Sequence, residues 1–397
     1  MPRLDAHTAG ESHGPGLVIT VTGIPAGTPV DTDFINSELA RRQGGYGRGG
    51  RMKIEKDAVE LLTGVRRGHA IGAPITMLIR NNDSRLDDAA KTPAVHRPRP
   101  GHADLAGSIK WLTTDCRETL ERASARETAS RTAAGALARC LLREFGIEAF
   151  GFVRSVKDAV SAVEVTAANW RDLRTKRDAS ETYCPDDAAS EAQKAAIRQA
   201  KVDKDTVGGL IEAHIFGCPP GLGTCADWRD KLDARLAYAV MGIQAMKSVE
   251  IGLGKDVAQR PGSDVHDPIR FDPAQKETSN LGFARDSNNA GGTEGGMTNG
   301  QPVVVRAAMK PIATLLRGLP SIDLNTKESQ QSQYERSDVC AVPAASVVLE
   351  NVAAFEVARV FCDKFSGDSL VEVKAQVHEF LRYARMLPLD PPNARLA

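Results

Sequence analysis

The chain has 397 residues, 42% hydrophobic and 26% charged, and its 51 basic and 51 acidic side chains cancel. This is the composition of an ordinary globular protein with enough chain for a large core, and its neutrality excludes a broad nucleic-acid surface, so any basic site must be local. No run of eighteen apolar residues occurs, the start lacks an apolar leader, and the seven cysteines are scattered without a Cys-x-x-Cys pair; these features predict a cytoplasmic protein with buried or inert thiols, no membrane span and no zinc site.

In chain order, the first unusual segment is Gly10-Glu11-Ser12-His13-Gly14. Its glycines let the backbone approach a ligand and expose Ser12 and His13, and a histidine there can donate a proton near neutral pH; taken alone, the motif fits a plain surface turn equally well. Residues 17–21 read as a strand closed by Gly23-Ile24-Pro25, and 59–63 and 75–79 read likewise. Asp31 can cap a helix over 32–42 that Gly44 ends, which puts Arg41 and Arg42 in its last turn.

The loop after that helix interleaves arginine and glycine, from Arg41 to Arg51. Gly45, Gly47 and Gly50 satisfy G-x-G-x-x-G, but the dinucleotide fingerprint follows a strand and opens a helix, whereas this one follows a helix end. The arginines instead offer guanidinium forks to carboxylate or phosphate, the competing reading being a solvated loop. At 97–104, two prolines and Gly101 hold His102 at a defined place on a loop. The other six histidines, 7, 69, 96, 214, 266 and 378, lack such a setting and read as structural or solvated.

Ser124 and Glu127 have capping-box spacing at the head of an Ala-rich helix over 127–145, with Arg122 and Arg126 strengthening an anion-receptive pole. A polar stretch over 156–205 reads as a surface excursion and not as a linker, since no Gly/Ser or Pro-rich run bounds it. Strand 210–216, helix 227–241, the glycine-rich loop 288–297, strand 303–308, the Arg336-Ser337-Asp338 segment and an apolar helix over 343–365 complete the chain. Strands and helices mix without a βαβ rhythm, which predicts α+β layers and not a doubly wound sheet.

Taken in order, GESHG at 10–14, RRQGGYGRGG at 41–50, RPGHAD at 99–104, RASARETASRTAAGALA at 122–138, MGIQAMKSVEIG at 241–252, NNAGGTEGGMTNGQP at 288–302, AAMKPIATL at 307–315 and RSDVCAVPAA at 336–345 resemble the chorismate synthase family over almost the whole chain. The resemblance implies reduced-FMN-dependent anti-1,4-elimination of phosphate from 5-enolpyruvylshikimate 3-phosphate, without net redox change. It implies one catalytic domain over 1–397, an α+β, layered β-α-β sandwich of antiparallel sheets around central helices, and a homotetramer.

By the same resemblance His13 would handle the departing phosphate, His102 would protonate the reduced flavin, and Asp338 would assist proton removal by way of flavin N5. Ser12, Arg42 and Arg48 would meet substrate or NADPH, the latter as the candidate reductant unless a separate flavin reductase serves. Arg122, Ala123, Ser124, Gln244, Ala245, Gly295, Lys310, Pro311, Ile312, Ala313, Thr314 and Arg336 would meet FMN, and no metal is implied. The alternatives are an FMN-dependent NAD(P)H oxidoreductase, which would consume nucleotide stoichiometrically, and an RNA-binding protein, against which neutrality and only 5% aromatic residues weigh.

Overall fold

The computed structural model describes residues 4–48, 56–335 and 338–389. Strands β1 (Asp5–Ala9), β2 (Gly16–Thr22), β3 (Val59–Leu61) and β6 (Ile75–Arg80) form a four-stranded antiparallel sheet in the order β1-β2-β6-β3. Alternation decides its faces: Leu17, Ile19 and Val21 of β2 and Ile75, Met77 and Ile79 of β6 are buried while the residues between them are half-exposed. A small hairpin, β4 (Val65–Arg66) with β5 (His69–Ala70), closes the turn before β6.

The second sheet is five-stranded and antiparallel: β10 (Met246–Ile251), β15 (Val303–Met309), β9 (Gly209–Phe216), β7 (Glu148–Val156) and β8 (Ala159–Val160), in that order. Between the sheets lie α1 (Thr32–Gln43), α4 (Thr128–Arg143) and α9 (Val342–Lys364). The central pair is apolar nearly all round, and such a helix belongs inside: α9 is buried from Val342 to Phe361 with one exception, and α4 buries all but two of its residues. The two cross closely at Gly135, where a Cβ would lie 2.2 Å from the carbonyl oxygen of Asn351. One apolar cluster runs from Leu4 to Val373 through both sheets and these helices, so the predicted β-α-β layering is the observed architecture.

The excursion holds more structure than its polarity announced. It contains α5 (Trp170–Ala179) and α6 (Asp187–Val202), the latter capped by Asp186, and it covers the outer face of the second sheet. There Phe150, Phe152 and Phe216 pack with Trp170 and Leu173 in a satellite core, which explains why β7 is buried on both faces and shows no clean alternation. Helices α2 (Asp104–Trp111), α3 (Arg117–Ala123), α7 (Leu232–Met241), α8 (Gly262–Val265) and α10 (Leu370–Arg385) are peripheral, as are the hairpins β11 (Ile269–Phe271) with β12 (Phe283–Arg285), β13 (Thr293–Glu294) with β14 (Met297–Thr298), and β16 (Pro320–Ile322) with β17 (Ser329–Gln331).

Sequence boundaries hold closely for α1, capped by Asp31 as expected, and for β2, β9, β15 and α9. The expected start of α7 at 227 moves to Leu232 because 227–231 forms a turn. The head of α4 also differs: Ser124 is extended at φ −61°, ψ 140°, so α3 ends before it and a short 3-10 turn, Ala125–Glu127, leads into α4. Of the thiols expected to be buried or inert, six are buried or partly so and Cys225 is exposed. No described helix is long and apolar enough to cross a membrane.

Candidate active site

A cavity of about 400 Å³ opens where the two sheets and the central helices share one end. Ser12 and His13 come from the β1–β2 loop, Arg42 and Arg48 from the end of α1 and beyond, Arg99 and His102 from the loop before α2, and Ala123 to Arg126 from the α3–α4 junction. Gln244 and Ala245 enter ahead of β10, Lys310 and 312–314 after β15, and Asp338 ahead of α9. Seven segments far apart in sequence therefore meet at the ends of central elements, where rigid scaffolding holds loops.

The first turn is tightly fixed. Gly10 has φ +105° and no room for a Cβ, which would lie 2.3 Å from the carbonyl oxygen of Gly16. Asn81 donates from Nδ2 to the carbonyls of Glu11 (3.0 Å) and Gly14 (2.8 Å), and the amides of Arg85 and Leu86 donate to the His13 carbonyl. Ser12 and His13 are thus largely buried cavity residues and not the exposed pair the motif suggested. Ser124 Oγ donates to Ser12 Oγ at 3.2 Å, joining this turn to the α3–α4 junction.

Each cavity histidine leans on a buried carboxylate. His13 Nδ1 lies 2.9 Å and 3.1 Å from the Glu121 oxygens, and its backbone N–H donates to Glu121 Oε2 at 2.8 Å. Burial by itself would raise the Glu121 carboxyl, but the His13 ring, its charge, the His13 amide and Arg117 together hold it below its ordinary value. His102 Nδ1 is hydrogen-bonded to Asp104 Oδ1. Asp104 also accepts from Arg99 Nε at 2.8 Å, the second guanidinium nitrogen at 3.0 Å and the Arg99 amide at 3.0 Å. Against its burial, His102 and Arg99 hold that carboxyl well below the usual carboxylate range.

The cations are held by few anions. Arg126 NH1 donates to both oxygens of Asp57 at 2.6 Å and 2.7 Å, and Arg126 Nε to Asn81 Oδ1 at 2.9 Å. Arg42 NH1 stands 3.5 Å from the same Asp57, while its other nitrogens donate to Thr128 Oγ1 and the Ala125 carbonyl. Arg42 NH1 and Arg126 NH2 are buried and make no hydrogen bond among the described residues. Burial pushes the Arg42 guanidinium down to about 9, with Asp57 opposing and Arg48 and Arg126 adding repulsion; it is still a cation at neutral pH. Arg48 NH1 donates to Asp338 Oδ2 at 2.5 Å. Lys310 donates to the Gly101 carbonyl at 2.8 Å, and its ammonium is pushed down by burial and by Lys247.

Of the residues singled out from sequence, Ser12, His13, Arg42, Arg48, His102, Ala123, Ser124, Gln244, Ala245, Lys310, Ile312, Ala313, Thr314 and Asp338 line the cavity. Arg122, Gly295 and Pro311 do not. Arg122 sits at the end of α3, not at the head of the long helix, and donates to the Thr8 and Gly10 carbonyls. Gly295 is at the exposed tip of the β13–β14 hairpin, and Pro311 is on the outer side of its turn. Arg336 lies outside the described residues. None of the other six histidines lines the cavity.

The sequence reading missed Glu121 and Asp57, whose roles arise only from contacts across 108 and 69 residues. Asp104 was within reach, two residues from His102. A second cavity, of about 1160 Å³, adjoins the first and shares Arg48, Thr314 and Asp338 with it. Among the described residues, no three His, Cys, Asp or Glu side chains are grouped so as to hold a metal ion.

A chorismate synthase sequence profile matches residues 4–362. A chorismate synthase of Desulforamulus reducens is 51% identical over 389 residues, covering 96% of this chain and 99% of its own. One of Geobacter sulfurreducens is 51% identical over 393 residues, covering 95% and 98%. A solved structure titled as the crystal structure of chorismate synthase superposes with a TM-score of 0.80 at 38% identity, covering 98% of this chain and all of that one.

Proposed function

The chain belongs to the chorismate synthase family, and from that premise we propose how its cavity carries out the family's reaction, the anti-1,4-elimination of phosphate from 5-enolpyruvylshikimate 3-phosphate to give chorismate. The enzyme is then a carbon-oxygen lyase acting on a phosphate ester, in the shikimate pathway to aromatic amino acids, and we read 1–397 as one catalytic domain working in the cytoplasm. Membership of this family disfavours the oxidoreductase alternative.

The observation that carries the reading is that His13 and His102 face one cavity whose wall also holds Arg42, Arg48, Arg99 and Arg126. The substrate bears two carboxylates and a phosphate, and the buried guanidinium nitrogens of Arg42 and Arg126 that make no hydrogen bond among the described residues suit such a ligand, since charge-assisted bonds to buried donors are the strong ones. His13, beside Ser12, is the group we assign to the departing phosphate. His102, lining the same cavity, is the group we assign to protonating the reduced flavin, and Asp338, gripped by Arg48, is the one we assign to assisting proton removal.

The wall formed by Ser124, Gln244, Ala245, Lys310 and 312–314 fits FMN. Gln244 Oε1 is a buried acceptor with no hydrogen-bond partner among the described residues, and Ala245 has φ +70°, a strained conformation of the kind kept at ligand sites. The chemistry reduced FMN supplies when bound is electron density toward the ring from which phosphate leaves. Those residues would bind and orient it, and the arginines would neutralise the charge that develops on phosphate, commonly the largest catalytic contribution.

NADPH is the candidate reductant, and the adjoining cavity that shares Arg48 supports room for a second ligand; a separate flavin reductase is the other source of electrons. We carry the homotetramer over from the family. The test is an anaerobic assay with chemically reduced FMN and 5-enolpyruvylshikimate 3-phosphate, following chorismate and phosphate together. Equal amounts of both, with no consumption of reductant, support the elimination, and substrate reduction would refute it. A parallel run with NADPH and oxidised FMN decides the source of electrons.

A further inference from the structure

We infer that Glu121 and Asp104 are positioning residues that fix the tautomer of the two cavity histidines, each holding the proton on Nδ1 and leaving Nε2 as the ring nitrogen that meets the reacting groups. The inference rests on the reading of His13 and His102 as the proton-handling pair. Neither carboxylate lines the cavity. Both side chains are fully buried, and each faces the Nδ1 edge of its histidine. Arg99 NH2 also lies 3.1 Å from His102 Nδ1, but it donates to Asp104 Oδ1 at 3.0 Å, and the shorter contact of Nδ1 is to that carboxylate.

An ionised carboxylate can only accept, so the nitrogen against it must be the donor. The two ring nitrogens lie on opposite sides of the imidazole, so fixing Nδ1–H toward the buried carboxylate orients Nε2 the other way. His13 Nε2 is 3.8 Å from Asp83, beyond hydrogen-bond reach, and is not diverted to that carboxylate. Glu121 additionally accepts the His13 backbone N–H, so the backbone bond holds the carboxylate in place against the ring, and the ring cannot turn away without breaking its bond to that carboxylate.

The supports of the two carboxylates differ. Asp104 is balanced by Arg99, which reaches both of its oxygens. The nearest cation to Glu121 apart from His13 is Arg117, at 3.6 Å, and that guanidinium is turned chiefly toward the Pro93 carbonyl and Glu335. Glu121 is therefore the cleaner site for a substitution. In Glu121→Gln, the His13 amide keeps the carbonyl oxygen at the Oε2 position. That places the amide NH₂ at the Oε1 position, 2.9 Å from Nδ1 in the parent, where it must donate. That donor shifts the ring toward Nε2–H, while Nδ1, 3.1 Å from the Oε2 position in the parent, keeps an acceptor there, so the variant mixes the two tautomers.

The test is long-range proton–nitrogen NMR on protein labelled with ring ¹⁵N-histidine, at a pH above the imidazole titration, with His13 and His102 assigned by their alanine variants. The expected wild-type pattern is Nδ1–H for both, shifting toward Nε2–H for His13 alone in Glu121→Gln. In that variant kcat is expected to fall roughly 10-fold to 100-fold, the cost of losing a histidine's outer partner. KM should stay within a few-fold, and Glu121→Asp, which restores the charge, should recover part of kcat.

Nε2–H in the wild-type protein would overturn the inference whether or not any variant folds, and so would wild-type kcat in a folded Glu121→Gln. Unchanged turnover in His13→Ala and His102→Ala would instead overturn the reading on which it rests.

Discussion

Arg41 and Arg42 are neighbours in the last turn of α1, yet they enter two different electrostatic worlds. Arg41 joins a sealed cluster: it donates to Glu38 at 2.5 Å and Glu350 at 2.7 Å, Arg139 reaches the same two carboxylates at 2.7 Å and 3.0 Å, and Arg177 reaches Glu350 at 2.9 Å and Asp178 at 2.8 Å. Arg42 joins the cavity cluster, where it and Arg126 share the single carboxylate Asp57. Burial presses on both guanidiniums, but in the sealed cluster Glu350 and Glu38 overcome it and drive Arg41 upward, while in the cavity Arg42 goes down to about 9. A cluster whose charges are matched by its own side chains holds elements together; one with surplus cationic donors is ready for an anion brought from outside. Identical residue types one position apart serve the two ends because successive side chains on a helix point about 100° apart.

That contrast can be broken at either end. The largest effect is expected in the cavity: His13→Ala and His102→Ala should each lower turnover by about 100-fold to 10,000-fold while FMN affinity and thermal midpoint change little, read by single-turnover kinetics beside flavin titration and calorimetry. Next comes the sealed cluster, where Glu350→Ala leaves three arginines facing Glu38. Removing one partner of a buried ion network costs about 3–5 kcal/mol, so urea unfolding should show that loss, with kcat of the remaining folded protein near that of the parent.

A smaller effect should separate the neighbours themselves. Arg42→Met removes a charge-assisted contact worth about 1.5–3 kcal/mol, so KM for the phosphorylated substrate should rise roughly 10-fold to 100-fold by the same principle. Arg41→Met should leave KM unchanged and lower stability instead; a common effect on both quantities would erase the distinction.

The smallest is a dependence on acid. Glu38 and Glu350 are held below their ordinary values by Arg139, Arg41 and Arg177 in spite of burial. Their contribution is complete above the unfolded carboxyl value, about 4.3 for Glu, and is lost as pH falls toward the depressed folded values. Stability measured by urea titration should therefore decline below about pH 4. Glu350→Gln should make the decline shallower by at most about 1.4 kcal/mol per pH unit.

How much of this was legible beforehand depends on the range of the determining interaction. The cap Asp31, the apolar length of α9, the alternation in β2 and the Pro-Gly setting of His102 are local signals, and they placed the elements and His102, while most of the fourteen cavity residues were named by the order of family motifs. The break at Ser124 escaped because a capping-box spacing is the same whether it heads one long helix or a turn between two. Helices α5 and α6 escaped because their polar outer faces masked narrow apolar stripes such as Trp170 and Leu173 or Ala189 and Ile197.

The sequence by itself determined the family, the layered class of fold and the residue types that chemistry on a small polyanion requires, because motif order and periodicity are properties of the linear chain. Only the tertiary structure decided which arginine faces the cavity and which is sealed, that Arg122, Gly295 and Pro311 stand outside the lining, and that Glu121 and Asp104 lie behind the histidines. Such pairings follow from how α1, α3, α4 and α9 cross in three dimensions, and no spacing along the chain records the separation of side chains that meet only after folding.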